Sequence, residues 1–317
     1  MRKQQNFAQP AITTTYAGEF AGKYIAAALL SAKTLDNQYI TIMPNVKFKS
    51  VIQKIAVDSI VNDASCNFTT SGTVALTERV LEPKELQVNL ELCKQEFVDS
   101  WEALQLGYSA FDEIPKDFND FLISYVGGKV AQATEESIWR GATATNGQFG
   151  GIYTALSSSV VAGGTNAPVT SSVSGSITSA NVGTALDALV SAIPETVYGK
   201  EDVMIYVPTN VVKAYQQFLA GGAQGANGFN NQMNVGEKPL NFNGIEMAFC
   251  PGLASSAMVA AQKSNLFFGT GLLSDYNEVR VLDMANLDGS QNYRIIMRYT
   301  AGTQYGIGSD IAIHKNY

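Results

Sequence analysis

Leu86-Gln87-Val88-Asn89-Leu90-Glu91-Leu92 places an apolar residue on every second position, the period of a β-strand with one buried and one wet face. Such a strand needs a hydrogen-bonding partner. The chain offers a second extended run in Val46-Lys47-Phe48-Lys49 and Ile55-Ala56-Val57, with the polar segment from Asn62 to Gly72 between the two. The expectation is a long two-stranded arm over 46–97, charged on its polar positions and placed before any helix able to cover it. A two-stranded ribbon is marginally stable at best in water, and its open edges invite further pairing. Its expected packing partner is another copy of the chain.

With 317 residues, the chain is long enough for one large or two closely joined domains. Charged residues make up 15% of it, against about 25% in a typical soluble protein. Much of the surface therefore falls to Ser, Thr, Asn, Gln, Ala and Gly, which suits extensive neutral contacts; a merely charge-poor soluble protein is the plainer reading. The net charge of −7 disfavours non-specific binding to polyanions. No window reaches the roughly 18 apolar residues of a membrane-spanning helix. The best, Tyr24–Leu30, is short and flanked by Lys23 and Lys33. After the basic start Met1-Arg2-Lys3, polar Gln4, Gln5, Asn6 and Gln9 stand where a signal peptide would be apolar, so folding in the cytoplasm is expected. Cys66, Cys93 and Cys250 fit a reducing compartment and no metal spacing. Cys66 and Cys93 fall on opposite arms of the expected hairpin, so either a disulfide or two idle thiols is open.

Residues 1–45 read as an arm with a short helix in which Tyr16, Phe20 and Tyr24 recur every fourth residue. Ile114-Pro115 and Asp117 signal the start of a long helix and Gly141 its end. Its apolar face runs through Phe118, Phe121, Leu122, Tyr125, Ile138 and Trp139, over about 36 Å. Gly127-Gly128 is a place for a bend or a close neighbour. From Gly141 to Leu186 there is no Asp, Glu, Lys or Arg, which suggests loops and irregular strands. Val182, Leu186, Leu189, Val190 and Ile193 mark an amphipathic helix closed by Pro194, and Val203–Val207 a buried strand. Pro208-Thr209-Asn210 leads into a helix carrying Val211, Val212, Tyr215, Phe218 and Leu219. A second uncharged, glycine-rich loop spans Gly221–Gly236. The rest reads as β-rich: Ile245–Phe249, Met258–Ala261, Leu266–Phe268, Val279–Leu282, Tyr293–Tyr299 and a last run through Ile307, Ile311 and Ile313.

Chemistry finds little support. His314 is the only histidine, and a position near a chain end is seldom rigid enough for a general base. Zinc and haem sites draw on several imidazoles or thiolates. Gly269-Thr270-Gly271-Leu272-Leu273-Ser274 lacks the third glycine of a dinucleotide fingerprint and reads as a turn. Gly221-Gly222-Ala223-Gln224-Gly225 lacks the Gly-Lys-Ser/Thr ending of a phosphate loop. Glu135 and Glu136, about 100° apart on a helix, do not converge; a carboxylate pair assembled from distant segments remains an alternative. Asn67-Phe68-Thr69 matches a glycosylation acceptor without a secretory context.

The order of elements, together with Thr134-Glu135-Glu136-Ser137-Ile138-Trp139-Arg140-Gly141, Gly147 and Phe149-Gly150-Gly151-Ile152, resembles the spine helix and following Gly-rich loop of tailed-bacteriophage major capsid proteins, a fold shared with encapsulin shells. Pro239-Leu240-Asn241-Phe242-Asn243-Gly244-Ile245-Glu246-Met247 is similar to the family's Leu-x-Gly-x-Pro-Val strand, with Met near the usual Pro-Val and Phe242-Asn243 inserted before the glycine. The resemblance implies an α+β fold with an N-terminal arm (1–45), an extended β-hairpin loop and connection (46–112), a peripheral domain with the spine helix (113–176), an axial domain (177–288) and return strands of the peripheral domain (289–317). It implies a structural protein without catalytic site, cofactor or metal. Such a protein self-assembles through hexamers and pentamers into an icosahedral shell that encloses double-stranded DNA without sequence-specific binding. Portal, scaffolding and decoration proteins are the family's further partners, the virion its location and the host bacterial cytoplasm its place of assembly. Scaffolding is expected from a separate protein, and no Lys-Asn cross-link is expected at Lys47, Lys49, Lys54 or Lys84. Lys47, Lys49, Glu78, Arg79, Glu82, Lys84 and Glu85 are the expected subunit-interface residues of the hairpin, because charges there are least able to satisfy themselves. An encapsulin-like compartment and a cytoplasmic enzyme using dispersed carboxylates are the alternatives.

Overall fold

The computed structural model describes residues 32–44, 46, 48–57, 61, 63, 66, 74–93, 116–163, 166–171, 173, 175–219, 240–270, 279–284, 289–290 and 292–315, with the backbone alone at 54–57, 74–77, 116–124, 279–281, 283 and 297. The helix expected around Tyr16–Tyr24, the start signal at Ile114-Pro115, Lys47, Asn67-Phe68-Thr69 and the 221–236 loop lie outside these residues. In chain order the elements are α1 (Lys33–Asp36), β1 (Thr41–Met43), β2 (Ser50–Val57), β3 (Val74–Leu81), β4 (Lys84–Cys93), α2 (Lys116–Arg140), α3 (Ile152–Ala162), β5 (Val169–Ser171), α4 (Val182–Ser191), β6 (Val203–Val207), α5 (Thr209–Leu219), β7 (Asn241–Phe242), β8 (Ile245–Phe249), β9 (Met258–Gln262), β10 (Leu266–Thr270), β11 (Val279–Asp283), β12 (Asn292–Tyr305) and β13 (Ala312–His314). The fold is α+β, as expected.

Two compact units share the chain: 1–29, 89–127 and 280–296 form the smaller, and 30–88, 128–279 and 297–317 the larger. Strands β4 and β12 and helix α2 each run from one unit into the other. In the larger unit a six-stranded sheet has the order β5-β13-β9-β6-β8-β7. Its centre is the run Val203–Val207, buried at four of its five positions, parallel to β8 and antiparallel to β9. Helices α4 and α5 supply the other half of this core. Val182, Ala185, Leu186, Leu189 and Val190 on α4 join Val211, Ala214, Tyr215 and Leu219 on α5, the i, i+3, i+4 spacing of one apolar helix face. The turn between β7 and β8 is Asn243-Gly244, with φ of 48° and 81°, the two-residue geometry that Asn-Gly adopts at low cost.

Helix α2 ends where Gly141 N–H donates to Ser137 O at 3.1 Å. The Gly-rich loop that follows returns across this end, and Gly151 N–H donates to Gly141 O at 2.8 Å. A Cβ on Gly151 would stand 2.5 Å from Gly141 N, and one on Gly141 would stand 2.1 Å from Phe149 O. The glycines are where two backbone segments cross in contact.

Three expectations change. The uncharged stretch after Gly141 contains helix α3, because Ile152 and Leu156 bury one face and Gly151 and Gly163 bound the segment; lack of charge was read as lack of order. Gly269 and Thr270 are the last two residues of β10, while the rest of the expected turn, Gly271–Ser274, lies outside the described residues. Strand β12 continues through Gly302 to Tyr305, pairing with β10. Gly269 and Gly302, opposite one another in the β10–β12 pair, mark where a segment from outside the sheet approaches it closely: a Cβ on Gly302 would lie 2.9 Å from Pro83 Cα. The expected last run through Ile307 is a short helical turn at Gly308–Asp310, and only Ala312–His314 pairs as a strand.

Candidate functional site

The extended arm exists, but its pairing differs from the expectation. Strand β2 pairs antiparallel with β3, from Ser50 opposite Leu81 to Val57 opposite Val74, and these two strands form a sheet of their own. Strand β4, which contains Leu86–Leu92, pairs with β12 instead. The cause lies in Glu82-Pro83. Proline donates no hydrogen bond and breaks the ladder, so the extended region divides into β3, which turns back on β2, and β4, which joins the body. Val74–Leu81 was the overlooked partner; its own alternation is masked by Thr77 and the charged Glu78-Arg79.

The two faces of the hairpin differ. Val51 and Val80 stand opposite one another in register and are 50% and 45% exposed, while Phe48 just before the strand is 83% exposed. On the other face Leu81 is fully buried, occupying the place a Cβ on Gly269 would take, with Leu81 Cδ2 2.5 Å from that position. Two register steps along this face, Arg79 pairs with Ile52 and holds its guanidinium over the ring of Tyr305, 3.9 Å from the centroid. The buried Tyr305 donates its hydroxyl hydrogen to Ser159 Oγ on α3 at 2.9 Å. Gln304 Nε2 donates to Val80 O at 2.9 Å.

The expected interface charges thus fall into separate environments. Lys49 and Glu82 pair at 3.2 Å while both stay exposed, a contact worth about 0–1 kcal/mol. Glu78 accepts from Gln53 Nε2 at 2.8 Å across the strands, and Glu85 is exposed. Lys84 Nζ donates to three carbonyls of the loop after α2: Gln148 O at 2.8 Å and Thr143 O and Thr145 O at 3.3 Å each. Arg79 and Lys84 therefore have partners within their own chain, which the reasoning from unsatisfied charge did not foresee.

On β4 the apolar face is buried at Leu86 and 42% exposed by Leu90. In the smaller unit Glu91 accepts from Arg294 Nε at 2.9 Å and from Asn292 Nδ2 at 2.6 Å. Arg294 and Arg298 are exposed, whereas Ile295 is fully buried, the alternation expected of this strand.

Glu135 and Glu136 do diverge, and Glu135 is a buried polar junction with no local marker in the residues around it. Its Oε1 accepts from Thr34 Oγ1 at 2.6 Å and its Oε2 from Thr34 N at 3.1 Å; the Gly252 N–H also supports the carboxylate. Trp139 Nε1 donates to Thr34 Oγ1 at 3.0 Å. Burial pushes the Glu135 carboxyl up, against the opposing pull of the Thr34 hydrogen bonds. Glu136 is exposed and pairs with Arg140 at 3.0 Å. The junction ties α1 to α2. Nearby, Tyr206 stacks at 5.2 Å on Trp139 and donates its hydroxyl to Tyr39 O at 2.7 Å.

His314 is fully buried on β13, with Nδ1 3.3 Å from Ser171 Oγ. The expectation of a loose terminal side chain is corrected: β13 is paired on both sides, with β5 and β9. Among the described residues its Nε2 has no hydrogen-bond partner, and burial lowers its pKa. All three cysteines are free, Cys66 exposed and Cys250 buried. Among the described residues no group of His, Cys, Asp and Glu could hold a metal, and no helix is long and apolar enough to cross a membrane.

No family model and no curated protein matches the sequence. Solved structures match it in shape. The capsid of a native GTA particle superposes with a TM-score of 0.64 at 14% identity, over 91% of each chain. The capsid of cyanophage A-1(L) gives 0.58 at 14% identity, over 92% of this chain and 94% of that one. The capsid of Myoviridae phage XM1 gives 0.53 at 11%, over 91% and 93%. The chain has the fold of these phage capsid proteins over nearly its whole length.

Proposed function

We propose that this chain is a major capsid protein that assembles with copies of itself, through hexamers and pentamers, into an icosahedral shell enclosing double-stranded DNA. The observation that carries the reading is the β2–β3 hairpin, a ribbon of two strands with a solvent-facing Val51–Val80 pair, on a fold otherwise matched by phage capsid structures. A second copy is the natural cover for such a face, since a ribbon of this kind contributes little to its own subunit.

In this reading 46–112 is the extended loop, 113–176 and 289–317 are the peripheral domain, 177–288 is the axial domain and 1–45 is the arm. Lys47, Lys49, Glu78, Glu82 and Glu85 meet charges of neighbouring subunits, and Arg79 and Lys84 contribute from the root of the hairpin. Their role is register more than strength. The net charge of −7 suits a container wall that does not grip phosphate. Portal, scaffolding and decoration proteins complete the particle, which is built in the host cytoplasm. The role is structural, with no reaction to catalyse.

Negative-stain microscopy of the expressed full chain tests the proposal. Rings, shells or tubes are expected; a monodisperse monomer at all concentrations would overturn it. Nuclease-protected double-stranded DNA in particles from infected cells separates a viral shell from an encapsulin-like compartment.

A further inference from the structure

We infer that Arg79, Tyr305 and Ser159 form a positioning clamp that sets the direction in which the β2–β3 hairpin leaves the body, and through it the geometry of assembly; the assembly half rests on the capsid reading. Among the described residues strands β2 and β3 pair with each other alone, so no described sheet edge steers them. The steering contacts lie at the root. Leu81 sits against Gly269, Gln304 Nε2 holds Val80 O, and the Arg79 guanidinium covers the Tyr305 ring.

These contacts are not equivalent. The Leu81 contact is apolar and without direction, and the Gln304 bond is a single point that permits rotation. The Arg79 Cζ lies over the Tyr305 ring at 3.9 Å from its centroid, a short contact on one defined face that limits how far the root of the strand can tilt. The ring itself is fixed: Tyr305 is buried within β12 and tied by its hydroxyl to Ser159 on α3. Leverage magnifies any looseness. Each strand has 8 residues, about 26 Å at ~3.3 Å per residue, so a tilt of about 10° at the root moves the tip by about 4–5 Å. That exceeds the separation at which apolar side chains lose contact.

The test compares wild type, Arg79→Ala, Arg79→Lys and Tyr305→Phe as full-length chains. Two measurements are made: hydrogen exchange in peptides from 50–57 and 74–81 of the unassembled protein, and particle morphology by electron microscopy. Arg79→Ala should raise exchange in both strands several-fold with an unchanged melting temperature, and give products of mixed size. Arg79→Lys should fall between, since an ammonium reaches the ring but cannot lie flat on it. Tyr305→Phe, which keeps the ring and frees it from Ser159, should shift both readouts less in the same direction. Unchanged exchange in Arg79→Ala together with failed assembly would overturn the clamp and place Arg79 on a neighbouring subunit. Raised exchange with uniform, normal particles would overturn its role in assembly. If wild type itself forms no particles, the capsid reading falls, while the exchange data still judge the clamp.

Discussion

The six-stranded sheet and the β2–β3 hairpin are both β structure within one chain, yet their side chains meet opposite surroundings. In the sheet Ile205, Val207 and Met258 are fully buried in the core that the strands share with helices α4 and α5. In the hairpin Val51 and Val80 face each other with about half their surface in water. A side chain in the first setting acts on the folding of its own subunit. One in the second has little to lose on its own and acts where another surface covers it. The contrast separates mutations that unfold the subunit from those that stop subunits from meeting.

The largest expected effect lies in the sheet. Leu189→Ala removes a fully buried side chain of α4 and should cost about 2–5 kcal/mol in denaturant unfolding. A smaller loss would mean that this core is less closely packed than the burial indicates. Next comes the junction between α1 and α2. Thr34→Ala leaves Glu135 Oε1 and Trp139 Nε1 without their shared partner and should cost about 1–3 kcal/mol. Thr34→Ser, which keeps the hydroxyl, should restore most of it.

Two buried groups give the larger unit opposite responses to pH. His314 is lowered from its ordinary 6.5 by burial. Its unfolded form therefore takes up a proton first, and stability is lost as pH falls from 6.5 to the folded value. His314→Asn should flatten this part of the profile. Glu135 is raised from 4.5, chiefly by burial, so its contribution is full below 4.5 and is lost as pH rises to the folded value. Glu135→Gln should abolish that slope. Unfolding curves between pH 4 and 8 on the three proteins check both signs, and slopes unaltered by the substitutions would assign them to other groups.

The smallest effect on the subunit sharpens the comparison most. Val80→Thr on the exposed face of the hairpin should change the stability of the unassembled chain by no more than about 0.5 kcal/mol, while reducing the yield of particles. Equal loss in both measurements would put this face inside the subunit and remove the distinction between the two regions.

Periodicity was enough to find α2, α4, α5, β6, β8, β9 and the existence of an extended arm, because each repeats its apolar residues at the spacing of its own element. It failed at the partner of Leu86–Leu92. Alternation tells a strand which face is dry but not which strand lies beside it, and the break at Glu82-Pro83 divided one apparent arm into two strands with different partners. It failed at helix α3, where Ser157-Ser158-Ser159 interrupts the apolar residues on either side. Gly269 reads as part of a turn because the atom that needs the space, Leu81 Cδ2, is more than 180 positions away in the chain. The sequence had no way to mark Glu135 as buried, since its partner Thr34 is 101 residues distant.

Composition and local spacing, then, determined most of the element types and the two-faced ribbon, since these depend on residues a few positions apart. Only the tertiary structure decided which strands pair, that Arg79 rests on Tyr305 and Lys84 on the loop after α2, and that His314 and Glu135 are buried. Those outcomes depend on which distant segments compete for the same space and the same hydrogen bonds, and that competition is resolved only when the chain has folded.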